Sequence, residues 1–244
     1  LEVSTVAQEH YLRGMFYFRS VTKLGGSEDD FEIAIDNFRA AIEAAPKWAL
    51  PYASLGTTLH FYATSAFVAQ PDIPQTFEES RKYLLEATRL DPELGQAYAS
   101  LAFVAHSYDF DFEGAEALYR KAIALGRHPH WGNAIMLRAL GRYEEAVEEY
   151  RVGLLEDPLS IGINMQLADS LRCLGRYPEA AERVDALLEG NPDAVGLWSF
   201  RAFVTARMGD LDGARTIVNR YHDTEHSGEF AETYALLGMH EEAK

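Results

Sequence analysis

Two nearly identical octets lie 34 residues apart in the sequence, ALGRYEEA at Ala139–Ala146 and CLGRYPEA at Cys173–Ala180. A fainter copy, LLGMHEEA, follows near the end of the chain. The glycines of the octets recur in register, and the same interval of 34 residues leads to a third one: Gly141, Gly175 and Gly209. A fixed period of roughly 20 to 50 residues is the signature of a solenoid of stacked repeats. The sequence therefore predicts a repeat protein.

The second half of each repeat carries a helical stripe. A small residue is followed after four positions by a large one, after three more by a small or apolar one, and then by proline. Two of the copies are Ala34, Phe38, Ala41 and Pro46, and Ala146, Tyr150, Gly153 and Pro158. This spacing places the first three residues on one face of a helix. The proline ends the helix because it cannot continue the hydrogen-bond ladder.

The first half of each repeat shows a weaker pattern, in the segments PYASLGTTL, QAYASLAFVA, INMQLADSL and LWSFRAFVT. The repeated glycines then fall between the first and the second helix, where a left-handed turn residue is needed. Asn164 occupies a place where the pattern expects a large aromatic ring, and this predicts locally weaker packing. No stretch alternates apolar and polar residues over a useful length, so strands are not expected.

These segments resemble the tetratricopeptide repeat, W-x2-L-G-x2-Y followed by A-x3-F and P. The resemblance covers nearly the whole chain. It implies an all-α fold, a right-handed superhelical solenoid of paired antiparallel helices. Residues 1–244 would form a single solenoid of about six repeats plus a truncated seventh, with enlarged loops inside the repeats at 19–30 and 62–77.

The segments EHYLRGMFYF, AIDNFRAAIEAAP and YASLAFVAHSYDFDFEGAEALYRKAI are also similar to the C-terminal repeat regions of bacterial multidomain regulators. In those proteins such arrays follow winged-helix, nucleotide-cyclase or protein-kinase domains, often after a membrane span. The resemblance implies a signalling role. It leaves the location open between the cytoplasm and the periplasmic part of a membrane-anchored parent. Because the sequence begins at Leu1 rather than at methionine, we expect a fragment or a processed chain.

Composition argues against two classes of partner. The 244 residues include 38 acidic and 22 basic side chains, which gives a net charge of −16. Such a surface repels phosphate backbones and anionic lipid, so neither nucleic acid nor docking on an anionic membrane is expected. The longest stretch without a charged residue, Trp48–Pro71, contains proline, histidine and several Ser and Thr, so direct membrane insertion is not expected either. The single cysteine, Cys173, is expected to be a small buried hydrophobic residue.

The sequence lacks the motifs that carry enzyme chemistry, so neither an enzyme activity nor a cofactor is expected. It contains no glycine-rich phosphate loop, no G-x-S-x-G elbow and no zinc motif. His222 and His226 lie four residues apart without further ligands, which favours surface histidines over a metal site. The segment DFDFE at Asp109–Glu113 is interpreted as a turn whose acidic residues precede a helix.

A solenoid binds extended or helical segments on the concave face lined by its first helices. The resemblance places nine residues in this groove: Phe18, His60, Phe61, Phe103, His106, Trp131, Arg138, Arg172 and Arg207. The aromatic members have an alternative interpretation as ordinary core between repeats. The arginines have an alternative as partners of nearby glutamates. The Lys and Asn pattern by which some repeat proteins clamp chaperone C termini is not seen in register, which disfavours a co-chaperone role.

Two functions remain. One is a protein-interaction scaffold that binds a partner segment in the groove, and the alternative is a ligand-sensing regulatory region of a larger signalling or transcription-regulator protein. Because Arg138 and Arg172 are one repeat apart, they are expected to point the same way, and arginine forks suit carboxylates. We therefore predict a protein or peptide partner with acidic groups. The truncated last repeat predicts an uncovered apolar strip at Phe230, Tyr234 and Leu237. This strip is expected to be met either by another chain, as in a homodimer through this end, or by further sequence.

Overall fold

The computed structural model describes residues 3–24, 27–65, 67, 72–127, 129–221 and 226–239. In this part of the chain the regular secondary structure is entirely helical, without a strand, so the predicted all-α class is confirmed. The helices are α1 (Thr5–Leu24), α2 (Glu28–Ala44), α3 (Ala49–Ala63), α4 (Ile73–Leu90), α5 (Gly95–Ser107), α6 (Phe112–Ala124), α7 (His130–Ala139), α8 (Tyr143–Glu156), α9 (Ile161–Cys173), α10 (Tyr177–Gly190), α11 (Val195–Arg207), α12 (Leu211–Asn219) and α13 (Ala231–Leu236), with a 3₁₀ turn at Ser227–Phe230.

The helices pack as antiparallel pairs in two compact units. In the N-terminal unit, Leu1–Gly132, α1 pairs with α2, α3 with α4 and α5 with α6, and adjacent pairs stack through α2 on α3 and α4 on α5. In the C-terminal unit, Asn133–Lys244, α9 pairs with α10 and α11 with α12, while α8 packs on α9 and α10 on α11. The organisation of all residues as one solenoid stays a prediction.

The small–large–small stripe of the second helices is buried, as predicted. Ala34, Phe38 and Ala41 are fully buried on α2, and Tyr150 is fully buried on α8. α1 approaches this stripe closely, because a Cβ atom added to Gly14 of α1 would lie 2.7 Å from the ring of Phe38. The stripe is therefore the surface on which paired helices meet.

The turn glycines adopt the predicted left-handed conformation. Gly141, Gly175 and Gly209 have φ values of 73°, 72° and 90°. After the first of them, the amide of Arg142 donates to the carbonyl oxygen of Leu137 at 2.9 Å, which is the hydrogen bond of a Schellman motif. The same geometry ends each of the three first helices and turns the chain into the second helix.

Both enlarged loops are shorter than predicted. Residues 19–24 belong to α1, because this stretch contains no glycine or proline, and α2 begins at Glu28 behind a capping box of Ser27 and Asp30. The longer connection runs from the end of α3 at Ala63 to the start of α4 at Ile73, and so is shorter than the predicted 62–77. Part of both connections lies outside the described residues.

Two further expectations need correction. Phe230 and Tyr234 are fully buried rather than uncovered, because α13 folds back onto α11 and α12, where it packs against Ala202 and Val218. The buried strip is therefore not the exposed surface on which the homodimer was predicted. The homodimer itself stays a prediction. Cys173, at the end of α9, is exposed rather than buried.

Other sequence features are placed as follows. Asn164 is buried, and its amide group donates to the carbonyl oxygen of Ser160 at 3.0 Å. Asp111 caps α6 by accepting a hydrogen bond from Gly114, which agrees with the predicted acidic helix start. His226 pairs with Glu229, whereas His222 lies outside the described residues. None of the described helices is both long and apolar enough to cross a membrane.

Candidate functional site

Four aromatic rings on successive first helices form a ladder in the N-terminal unit. Phe18 of α1 lies edge-on to Phe61 of α3, with ring centroids 5.7 Å apart. Phe61 stacks on Phe103 of α5 at 6.1 Å, and Phe103 stacks on Trp131 of α7 at 5.7 Å with an interplanar angle of 7°. All four side chains are half-buried. This aromatic ladder is thus held by its own ring contacts and keeps part of its surface accessible.

Two buried histidines extend the aromatic ladder into the unit. His60 is 2% exposed and stacks on Phe103 at 4.7 Å, while His106 is 4% exposed and lies edge-on to the same ring at 5.0 Å. Burial, with a smaller contribution from His106, lowers the pKa of His60 to about 3. Burial lowers the pKa of His106 to about 4. Both imidazoles are therefore neutral at physiological pH.

The two histidines differ in the hydrogen-bond partners of their ring nitrogens. Nε2 of His106 lies 3.1 Å from the hydroxyl oxygen of Tyr119, a residue of α6 that is fully buried. Neither ring nitrogen of His60 has a hydrogen-bond partner among the described residues. Leaving a buried polar group unpaired costs about 1–3 kcal/mol. His60 is thus retained at an energetic cost, and it acts as a flat neutral ring between Phe61 and Phe103.

The structure brings six of the nine predicted groove residues together in this ladder: Phe18, His60, Phe61, Phe103, His106 and Trp131. The histidines belong to the core of the unit, whereas the other four rings are only half-buried. The core interpretation therefore applies to the histidines, whereas the groove interpretation of the other four rings stays a prediction.

The predicted arginines of the C-terminal unit are paired. Nε of Arg172 donates to Oδ1 of Asp169 at 2.8 Å, and Arg138 donates to the other carboxylate oxygen and to Gln166. Arg207 instead lies over the ring of Tyr177 at 5.3 Å and donates to its hydroxyl oxygen at 3.0 Å. Arg138 and Arg172 thus converge on one aspartate, not on the glutamates that the alternative interpretation named.

A groove of about 380 Å³ opens beside this cluster, between α9, α11 and α13. Met165, Phe200 and Phe203 supply apolar surface in it. Its charged lining residues are Asp169, Arg172, Glu229 and Glu232. The guanidinium of Arg172 lies 5.3 Å from the ring centroid of Phe203. We call this surface the C-terminal groove.

The C-terminal groove is built from equivalent places of successive repeats. Asp169 and Phe203 are separated by 34 residues, and Glu232 follows Phe203 after 29. Sequence reasoning missed all three, although the repeat interval of 34 leads from Asp169 to Phe203, and the shortened last interval of 29 leads from there to Glu232. Asp169 also carried a local signal, because it lies three residues before Arg172, where side chains on a helix meet.

A family comparison supports the repeat assignment. The family model of the tetratricopeptide repeat matches residues 165–228, the stretch from within α9 to the 3₁₀ turn. Residues 165–228 therefore carry the sequence pattern of the tetratricopeptide repeat. No curated protein matches the sequence. In the described residues there is also no group of three or more His, Cys, Asp or Glu side chains able to hold a metal ion.

Solved tetratricopeptide-repeat structures share the fold at low sequence identity. PilW, a widely conserved type IV pilus biogenesis factor, gives a TM-score of 0.69 at 14% identity, covering 93% of this chain and 97% of its own. PilF of Pseudomonas aeruginosa gives 0.64 at 15%, covering 94% and 97%. YrrB, a tetratricopeptide-repeat protein with an unusual peptide-binding site, gives 0.57 at 16%, covering 84% and 95%. Such identities establish similarity of fold.

Proposed function

We propose that the protein is an interaction scaffold that binds a segment of a partner protein on the first helices of its repeats. Stacked helical repeats present extended surfaces that are used in this way. The peptide-binding site of the structural relative YrrB supports the proposal. The observation that carries it is the aromatic ladder, in which Phe18, Phe61, Phe103 and Trp131 are held in fixed stacking contacts yet are only half-buried.

Such a surface suits a partner with apolar or aromatic side chains. Aromatic rings offer a large contact area with few rotatable bonds, so little conformational entropy is lost when a partner covers them. The ladder is already ordered by its own contacts, and this preorganisation lowers the cost of binding. Each 100 Å² of apolar surface removed from water would contribute about 2.5 kcal/mol before those costs.

A random peptide library displayed on phage tests the proposal. Peptides selected on the wild-type protein would be synthesised, and their affinities measured by calorimetry. Trp131→Ala should weaken binding by about 30-fold, the usual effect of removing an aromatic hot spot. Phe16→Ala is the matched control, because Phe16 is 69% exposed on α1 and its ring contacts Tyr17, which is not part of the ladder. Circular dichroism would verify that both variants fold.

Unchanged affinity of every selected peptide for Trp131→Ala would contradict binding at the ladder. The same peptides test whether the partner carries acidic groups. Enrichment of Asp and Glu, lost with Arg138→Glu/Arg172→Glu, would support the acidic partner predicted from the sequence. The pairing of both arginines with Asp169 predicts instead that this double variant mainly loses stability.

The size of the C-terminal groove favours a second candidate, the ligand-sensing regulatory region. Its volume of about 380 Å³ falls in the range of small-molecule sites, roughly 300–1,000 Å³. Thermal-shift measurements with a panel of metabolites test this candidate. A ligand that raises the melting temperature of the wild type but not of Arg172→Ala would support it.

A further inference from the structure

We infer that the C-terminal groove takes a peptide segment in which a basic side chain stands next to an apolar one. This inference rests on the proposed function, because it names the partner chemistry of one surface of the scaffold. The groove is lined by three carboxylates, Asp169, Glu229 and Glu232, and by one guanidinium, that of Arg172. The lining therefore carries an excess of negative charge.

The arginine of the groove is already engaged. Arg172 pairs with Asp169 at 2.7 Å and also lies over the ring of Phe203. Asp169 receives Arg138 as a second partner. An incoming carboxylate would have to displace Asp169 from both arginines, and breaking such charge-assisted hydrogen bonds is costly. The cluster therefore offers little to an acidic segment.

The two glutamates have remaining capacity for a cation. Glu232 is exposed and close enough to Arg172 for their charges to interact, but it forms no ion pair within 4 Å in the described part of the chain. Oε1 of Glu229 lies 3.0 Å from Nδ1 of His226, and its second carboxylate oxygen has no partner in the described part of the chain. A Lys or Arg side chain entering the groove can pair with either glutamate.

An apolar surface lies within the same groove. Met165, Phe200 and Phe203 are half-buried and line it together with the glutamates. The stem of a lysine or arginine can pack along such rings while its charged end reaches a carboxylate. The net charge of −16 also attracts a basic segment and repels an acidic one as they approach.

Three matched peptides test the inference. Each is a fluorescein-labelled chain of Gly and Ser around a central motif, Leu-Lys-Leu-Lys, Leu-Glu-Leu-Glu or Leu-Ser-Leu-Ser, and binding is read by fluorescence anisotropy. The lysine peptide should bind about tenfold more tightly than the serine peptide and more tightly still than the glutamate peptide. Its advantage should shrink as salt is added, because exposed ion pairs are screened.

Two double variants separate the groove from the general charge of the chain. Glu229→Gln/Glu232→Gln should weaken the lysine peptide about five- to tenfold and leave the serine peptide unchanged. Glu182→Gln/Glu189→Gln, on the exposed face of α10, removes the same charge outside the groove and should have a smaller effect.

Equal loss in both double variants, or a glutamate peptide that binds as well as the lysine peptide, would overturn the inference. If no peptide of this set binds while library peptides still bind the aromatic ladder, the inference fails and the proposed function stands. If those library peptides also bind Trp131→Ala unchanged, the proposed function fails as well.

Discussion

Mild acid should destabilise the fold through His60 and His106. Burial holds the pKa of His60 at about 3 and that of His106 at about 4, against an ordinary value of 6.5. Above about pH 6.5 both imidazoles are neutral in the folded and the unfolded chain, so their titration has no effect on stability. Below this pH the unfolded chain binds protons that the folded chain does not. The free energy of unfolding therefore falls as the pH falls.

The size of the effect follows from the two shifts. Each histidine lowers the free energy of unfolding by about 1.4 kcal/mol per pH unit between the unfolded and the folded pKa. Between about pH 6.5 and 4.5 the loss is about 2–3 kcal/mol for each, or about 5 kcal/mol for both. Domains are usually stable by only about 5–15 kcal/mol, so this loss should be readily measured.

Urea unfolding followed by far-UV circular dichroism at about pH 7 and pH 4.5 tests this reasoning. His60→Phe keeps a flat ring in the stack but cannot bind a proton. Between the two pH values the variant should lose about 2–3 kcal/mol less than the wild type. Leu59→Ala is the control, because Leu59 is a buried neighbour without a titratable group. It should lower stability by about 2–5 kcal/mol at both pH values.

An equal loss in the wild type and in His60→Phe would refute the argument. It would show that His60 becomes protonated in the folded state without penalty, through solvent access or a rearranged ring.

Two further predictions concern the C-terminal unit. Gly175→Ala should lower the free energy of unfolding by about 1–2 kcal/mol, because φ is 72° at this glycine. Gly162→Ala is the control, because a Cβ atom added to Gly162 in α9 meets no atom within 4 Å and should not destabilise the protein. Thermal melts of the two variants give the comparison. Asp169→Asn should cost about 2 kcal/mol, because Arg138 and Arg172 lose their shared anion. Glu145→Gln, in an exposed pair, should change the melting temperature less.

The helix pairs could be predicted because they depend on spacing along the chain. The left-handed turn at Gly175 and the buried stripe of Ala34, Phe38 and Ala41 follow from local rules of helix ends and helix faces. Each rule was tested several times within one sequence, since the repeat supplies several copies. Because the copies agree with one another, the paired-helix fold could be predicted from the sequence.

The errors arose where the outcome depends on contacts between distant residues. The strip at Phe230 and Tyr234 is buried because the short α13 folds back onto Ala202 and Val218. No local sequence pattern predicts that contact. Likewise, the burial of His60 depends on Phe61 and on the more distant Phe103. A periodic pattern identifies which residues share a face, but it does not determine what covers that face.

The difference between the two candidate surfaces follows from one variable place in the repeat. This place lies five residues after the aligned positions of Tyr98, Asn164 and Trp198, and it holds Phe103, Asp169 and Phe203 in turn. Phe103 stacks in the aromatic ladder, whereas Asp169 pairs with two arginines and Phe203 lies beneath one of them. The buried stripe that joins the helix pairs lies at other positions, so residues here can change while the paired helices are kept, although a change such as Asp169→Asn lowers stability. The partner chemistry of each unit is therefore expected to be set at this place.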